Sequence, residues 1–320
     1  MTDPVLIFAC LGSSALTKHQ SYIWQAFNQA RITNPSIKIV VILSKNALKT
    51  DMTQKLERLK IIPVNYNDLI HDNPIIKDFH RFFFIQGDMV PDGNKQFVQF
   101  TFERLLSIYA YMLKTRQVHV FHIENDNMLY IDLQELGRRM NDCEVRLAIP
   151  KASNDLAIFS FIYIKNVQAL EQFVQWCVNV FRLGRRNAIK FLNTTYINDM
   201  TLGARYLQLR ASTAEQSKLS GIYELPTTFE NDIYNCCVCS LGNSSLIFDA
   251  CVLGQYFGGT YAKPNKPHWE SNRLLDPRGE TLSWRLLDQQ IRVPYIKNRR
   301  ITNIHVHSKR LNQFASLQME

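Results

Sequence analysis

Glu124 and Asp126 stand two residues apart in the run His122-Ile123-Glu124-Asn125-Asp126, directly after the apolar stretch Val118 to Ile123. Two carboxylates just past a buried strand are poor core residues. A short acidic loop there can hold a hard divalent cation through oxygen ligands, and such a cation can bridge the oxygens of a diphosphate. The plain alternative is a solvated turn with two surface acids. Near the other end lies His305-Val306-His307-Ser308-Lys309. On a strand this alternation puts both imidazoles on one face, where one can ligate a metal and the lysine can meet phosphate as a point charge. The alternative is a sheet edge with two ordinary histidines. Asn198-Asp199 precedes a helical stretch from Thr201. An acid there either caps the helix or works as a base.

The elements that must position these residues read as alternating strand and helix. Val5 to Ala9 is a short apolar run, and residues 19 to 31 follow with Ile23, Phe27 and Ala30 on one helical face. Asn34-Pro35-Ser36 breaks that helix, and Ile37 to Leu43 is a β-branched run. Runs apolar on both faces belong to sheets covered by helices on both sides. A short helix over 51 to 60 and a strand over 61 to 64 complete the pattern of a doubly wound sheet. Beyond it the spacing predicts a helix over 97 to 113, with Phe100, Leu105, Ile108 and Met112 inward. Strands follow at 118–123, 147–150 and 159–164, then helices at 166–181 and 201–207. Residues 210 to 300 read as irregular. With neither repeat nor linker, the chain reads as one continuous α/β domain with a mixed, mostly parallel central sheet flanked by helices. In such sheets ligands bind at the carboxyl ends of the strands, where Glu124 and Asp126 fall.

Composition narrows the chemistry. The 320 residues are 46% apolar and 20% charged, a globular balance. Glycine is scarce, 12 residues, where an average chain carries ~7%. There is no G-x-G-x-x-G, no G-x-x-x-x-G-K-[ST] and no G-x-S-x-G, which argues against a Rossmann dehydrogenase, a P-loop NTPase and an ordinary α/β-hydrolase. The net charge of +9 asks for an anionic partner. It is concentrated between residues 271 and 310, where nine Lys/Arg face three acids. A nucleic-acid surface would spread basic residues and aromatics over a wide face, so this local excess beside the histidine pair fits a site better than a stripe. No segment approaches the ~20 apolar residues of a membrane helix, and Met1-Thr2-Asp3-Pro4 lacks a basic signal-peptide start. The default expectation is cytoplasmic, with all seven cysteines as free thiols, Cys236, Cys237 and Cys239 among them.

Taken in order, these segments resemble the nucleotide-sugar-dependent glycosyltransferases of the A-type fold. Phe121 to Tyr130, FHIENDNMLY, is similar to their acid-x-acid metal motif, with Glu124 in place of the usual Asp. Gln25 to Arg31, followed by Asn34-Pro35 and the strand at 37–43, resembles their N-terminal nucleotide-binding unit. Phe102-Glu103-Arg104, Ser160 to Asn166, Asn198 to Leu202, Phe248-Asp249-Ala250 and Gly254 to Gly259 resemble later segments. The resemblance covers about residues 5 to 310.

It implies a nucleotide-sugar-binding half over residues 1–130 and an acceptor-binding half over 131–320 carrying the basic C-terminal segment. It implies Mn²⁺ or Mg²⁺ held by Glu124, Asp126 and His307. Arg104, Asn125, His305 and Lys309 would bind the nucleoside diphosphate sugar. Asp199, with Asp249 as second candidate, would serve the reacting centre, and Gln255, Gly258 and Gly259 would face an acceptor that is a glycan, a protein or a small molecule. Tyr256, Phe257, Tyr261 and Trp269 are candidates to stack on sugars. Two other classes compete: a sugar nucleotidyltransferase, for which Leu11-Gly12-Ser13-Ser14 is a poor phosphate loop, and a nucleic-acid-binding protein using the basic region.

Overall fold

The computed structural model describes residues 2–12, 21–44, 50–70, 73–84, 95–229, 240–241, 244–287 and 290–317. His19, Ser13-Ser14 and the Cys236-Cys237-Val238-Cys239 cluster lie outside them. The strands are β1 (Val5–Cys10), β2 (Lys38–Leu43), β3 (Ile61–Asn65), β4 (Val120–Ile123), β5 (Asn127–Leu129), β6 (Leu147–Ser153), β7 (Leu156–Ala157), β8 (Phe161–Ile164) and β9 (Ile222–Leu225). After these come β10 (Ser240–Leu241), β11 (Ser244–Ile247), β12 (Ser283–Leu286), β13 (Arg292–Ile296), β14 (Arg299–Ile301) and β15 (Asn303–His305).

The main sheet has the order β3-β2-β1-β4-β8-β6-β7, with β9 added beside β6. Neighbours run parallel from β3 to β4, and β9 is parallel to β6. Strand β8 is antiparallel to both β4 and β6. The expected mixed, mostly parallel sheet flanked by helices is therefore what the chain forms. Its uniform apolar runs serve two cores at once. Leu6 and Phe8 of β1, Ile39 and Val41 of β2 and Phe121 of β4 join one apolar cluster, and Val5, Ile7, Val40, Ile42 and Val120 join the other. Period-2 alternation divides each strand between the two faces, so neither face is left to water.

Helix Ser21–Thr33 packs Ile23, Phe27 and Ala30 against the first face. Helices Lys95–Thr115 and Val167–Arg182 cover the second. Leu105, Ile108 and Met112 are buried as expected, while Phe100 is only half-buried. Each fully buried leucine or isoleucine contributes roughly 1.5–3 kcal/mol. Asn34 ends the first helix and is itself buried: its amide donates to the Ile131 carbonyl and its oxygen accepts from Leu133 N.

The stretch read as irregular, 210 to 300, holds regular elements: helices Ala214–Ser220 and Val252–Gly258 and strands β9 to β14. Helices Pro74–Phe82, Leu133–Asp142 and Arg185–Leu192 also lie where no element was expected. Strands of two to five residues carry too few alternations to register in sequence. Among the described residues the thiol expectation fails at Cys143. Cys143 is disulfide-bonded, a pairing that chain spacing cannot show, whereas Cys10, Cys177 and Cys251 are free. Among the described residues no helix is long and apolar enough to cross a membrane.

Candidate active site

Strands β1 and β4 run parallel, and the residues just past their carboxyl ends, Leu11 and Glu124 to Asp126, line one cleft of about 540 Å³. The turn after β4 carries Glu124, Asn125 and Asp126 into it. That turn is pinned by backbone. Glu124 N donates to the Ser160 carbonyl at 2.9 Å, and Val306 N donates to the Asp126 carbonyl at 2.8 Å. Asn127 amide donates to the same Ser160 carbonyl at 2.9 Å.

The C-terminal segment reaches the turn through β15, which pairs antiparallel with β5 and sets His305 opposite Asn127. The strand ends at His305, but the alternation still carries both imidazoles to the cleft, and His305 and His307 both line it. They differ in what they meet. His305 Nε2 lies 3.1 Å from Glu124 and 3.1 Å from Asp126. Among the described residues His307 has no such partner, and its Nδ1 is buried without a hydrogen bond. The three-donor group that forms is Glu124, Asp126 and His305, with ligand atoms within 4.8 Å of one another. His305, expected on the donor side, thus stands beside the two acids, and His307, expected as the third ligand, is not part of this group. Register against β5, not the histidine spacing, decides which imidazole faces the acids.

Electrostatics make the group a tight one. Burial, the largest single influence, raises the Asp126 carboxyl, but His305 and Lys309 together hold it well below the usual carboxylate range. Burial opposes charge on His305 too, yet Asp126 and Glu124 raise its imidazole well above its ordinary value. Lys309 is ion-paired with Asp126 and lies 5.5 Å from the centre of the Tyr22 ring. Its backbone sits at φ 64°, left-handed for a residue with a Cβ, held by its N–H to the Val306 carbonyl at 2.9 Å. His307 is pushed down to about 4 by burial and then by His305 and Lys309, leaving it neutral with a free nitrogen.

Arg104, on helix Lys95–Thr115, pairs with Glu124 and, at 3.3 Å, with Asp199. Burial disfavours its charge, but Glu124 and Asp199 outweigh that and raise it. Asp199 owes its freedom to Asn198. Asn198 accepts from Thr201 N at 2.8 Å, and Thr201 Oγ1 accepts from Asn198 N at 3.1 Å, a complete capping box. With the helix already capped, the Asp199 carboxylate turns to Arg104. Burial raises it above its ordinary value, only partly offset by Arg104. Asn125 donates to Cys10 Sγ at 3.7 Å, and burial above all pushes that thiol up to about 12.

Other expectations land elsewhere. Asp249 is 1% exposed and does not line the cleft. Its carboxylate accepts from Leu253 N, Gly254 N and His305 N at 2.8, 2.9 and 2.9 Å. It ties helix Val252–Gly258 to β15. Gln255 lines the cleft, but Gly258 and Gly259 do not. Gly258 packs against the Phe314 ring, and Gly259 sits at φ 75° in a turn where a Cβ would come within 2.4 Å of the Lys263 carbonyl. Gly254 allows the closest approach of all, since a Cβ there would meet the His305 carbonyl at 1.9 Å. Gly254→Ala is expected to cost about 1–3 kcal/mol in chemical denaturation through overpacking against the His305 carbonyl.

The basic excess is dispersed. Of the nine cations between 271 and 310, only Arg273 and Lys309 line the cleft. Arg299 and Arg300 are buried, Arg278 pairs with Asp276, and Lys297 pairs with Glu280. Arg285 and Arg292 stack on Tyr295 and Trp284. Tyr256, Phe257, Tyr261 and Trp269 are not among the cleft residues. His122 is structural: its Nδ1 donates to the Ile7 carbonyl at 2.9 Å, and burial drives it down to about 3. Tyr22, Thr101 and Cys251 line the cleft without any prior motif to mark them.

No protein-family model and no curated protein matches the chain. Among solved structures it is similar to mouse xyloside xylosyltransferase 1 in its apo form, at 9% identity and TM-score 0.49 over 71% of this chain and 87% of that one. It is similar to the galactosyltransferase LgtC in complex with donor and acceptor sugar analogs, at 12% identity and TM-score 0.37 over 70% and 75%. A cytidylyltransferase from Leptospira borgpetersenii serovar Hardjo-bovis gives 10% identity and TM-score 0.35 over 70% and 75%. At these identities and scores none of the three assigns a function to this chain.

Proposed function

We propose that the chain is a metal-dependent glycosyltransferase that moves a sugar from a nucleoside diphosphate sugar to an acceptor. One observation carries the reading. Glu124, Asp126 and His305 converge at the end of β4, ringed by Arg104, Lys309 and His307, in a cleft of about 540 Å³. The donor set fits a divalent cation: two carboxylate oxygens and one imidazole nitrogen, with the other ring nitrogen of His305 buried and unpaired. A set of mixed oxygen and nitrogen donors favours Mn²⁺ over Mg²⁺, which prefers oxygen throughout. When bound, the cation supplies Lewis-acid neutralisation of the two phosphates.

The chain's own residues account for the rest. Glu124, Asp126 and His305 hold the ion. Lys309 sits on a fixed backbone beside Asp126, where its ammonium stabilises charge on the departing diphosphate. Arg104 orients Glu124 and Asp199 and adds positive charge at the same end. His307 is neutral and offers a hydrogen bond to a phosphate or sugar oxygen. Asn125, on the turn itself, completes the donor side. Asp199, with its carboxyl held above the ordinary range by burial, is the base or the group that orients the reacting sugar. Leu156, Ile158, Phe159 and Gln255 form the wall on the acceptor side. The division into a donor half and an acceptor half follows, with the cleft drawing residues from both. Asp249 acts only by positioning His305. Binding of UDP-, GDP- and other nucleotide sugars, measured by thermal shift with and without Mn²⁺, tests the reading.

A further inference from the structure

We propose that a second, polar cleft beside the first binds the inner residues of a neutral oligosaccharide acceptor, an inference that rests on glycosyl transfer at the main cleft. This side cleft has a volume of about 370 Å³. It adjoins the main one. Leu156 lines both, and Asn272 lines the side cleft next to Arg273 in the main cleft. Helix Asp199–Arg210 runs between them, with Asp199 in the main cleft and Arg205 and Gln208 in the other. Six residues of α-helix separate Asp199 from Arg205, about 9 Å along the axis. That is beyond the ring that would react and within reach of the next along a chain.

The walls suit hydroxyl groups, which donate and accept at once. Arg205 supplies donors, and among the described residues its guanidinium has no acidic partner. Its Nε is buried without a hydrogen bond, a state that is costly unless something accepts from it. Its terminal nitrogen is anchored at 3.0 Å on Gln208, which is held at 3.0 Å by the Asn154 carbonyl. Asp155 supplies acceptors and is exposed, so an anionic ligand would meet a like charge. Tyr196 adds a ring face to the same wall. One acid, one cation and several neutral polar side chains fit a neutral saccharide better than a lipid or a phosphorylated acceptor.

Isothermal titration of the full chain with neutral oligosaccharides of two to six residues, and with the matching monosaccharides, tests this. At least one oligosaccharide should bind about tenfold or more tighter than its monosaccharide. Arg205→Ala and Asp155→Ala should each remove most of that gain while leaving binding of UDP and GDP with Mn²⁺ unchanged. Asp155 is exposed, so its variant retains the fold. Equal binding of monosaccharide and oligosaccharide, no oligosaccharide binding while UDP or GDP still binds, or unaltered binding by both variants would overturn the subsite alone. Failure of the unmodified chain to bind any nucleoside diphosphate would overturn the donor reading, and this proposal with it.

Discussion

Asp126→Asn is expected to lower turnover by about 10³-fold, or roughly 4 kcal/mol of transition-state stabilisation, while the protein still folds. The substitution keeps the side-chain volume and leaves one carbonyl oxygen to accept from Lys309 and His305, which both meet Asp126 in the native chain. What it removes is the charge that binds the cation and keeps the imidazole and ammonium in place. Melting temperature should change by a few degrees at most, and Mn²⁺ should no longer stabilise the variant. Circular dichroism and a thermal scan with and without Mn²⁺ separate this result from simple misfolding. Turnover within about tenfold of the native chain would mean that Asp126 does not hold the metal.

Asp249→Ala should behave in the opposite way, with a large loss of stability that precedes any loss of chemistry. Three buried backbone N–H groups, those of Leu253, Gly254 and His305, would lose their acceptor. Each buried orphan costs about 1–3 kcal/mol, so a total of roughly 3 kcal/mol or more follows from the same penalty. For a chain of this size that is a fall of about 5–10 °C in Tm. Asp249→Asn retains one acceptor oxygen and should fall between the native chain and the alanine variant. A catalytic role would produce the reverse ordering, with inactive but fully stable Asn and Ala variants. The measurements are thermal unfolding and turnover of the folded fraction, side by side.

These two acids show what sequence reasoning reaches and what it misses. Glu124 and Asp126 were legible because they follow a run apolar on both faces, and strands of that kind end where ligands bind. The strands β1, β2 and β4 and their flanking helices were legible for the same reason, since periods of 2 and 3.6 persist over enough residues. Asp199 was legible only as a choice between cap and functional group. The capping box of Asn198 and Thr201 satisfies the helix end without the Asp199 side chain. The contacts of Asp249 were not legible because they come from the backbone of β15, some fifty residues away, as well as from its own helix. The histidine roles depended on the register of a three-residue strand, which period-2 spacing leaves open by design: both rings share a face, and only the pairing says which meets the acids. The C-terminal charge was counted correctly, but its destinations were not legible. Ion pairs and aromatic stacking absorb most of it.

In the proposed function the acids at the end of β4 and His305 hold a divalent cation for a nucleoside diphosphate sugar. The most direct test is a thermal-shift titration of the native chain with UDP- and GDP-sugars, each with Mn²⁺, with Mg²⁺ and with excess chelator. At least one nucleotide sugar should raise Tm by several degrees with Mn²⁺, less with Mg²⁺ and not at all with chelator, since a ligand at about 100 times its Kd adds ~2.7 kcal/mol of stability. Stabilisation by a nucleotide sugar that is equal with and without chelator, or its absence under every condition, would contradict the account.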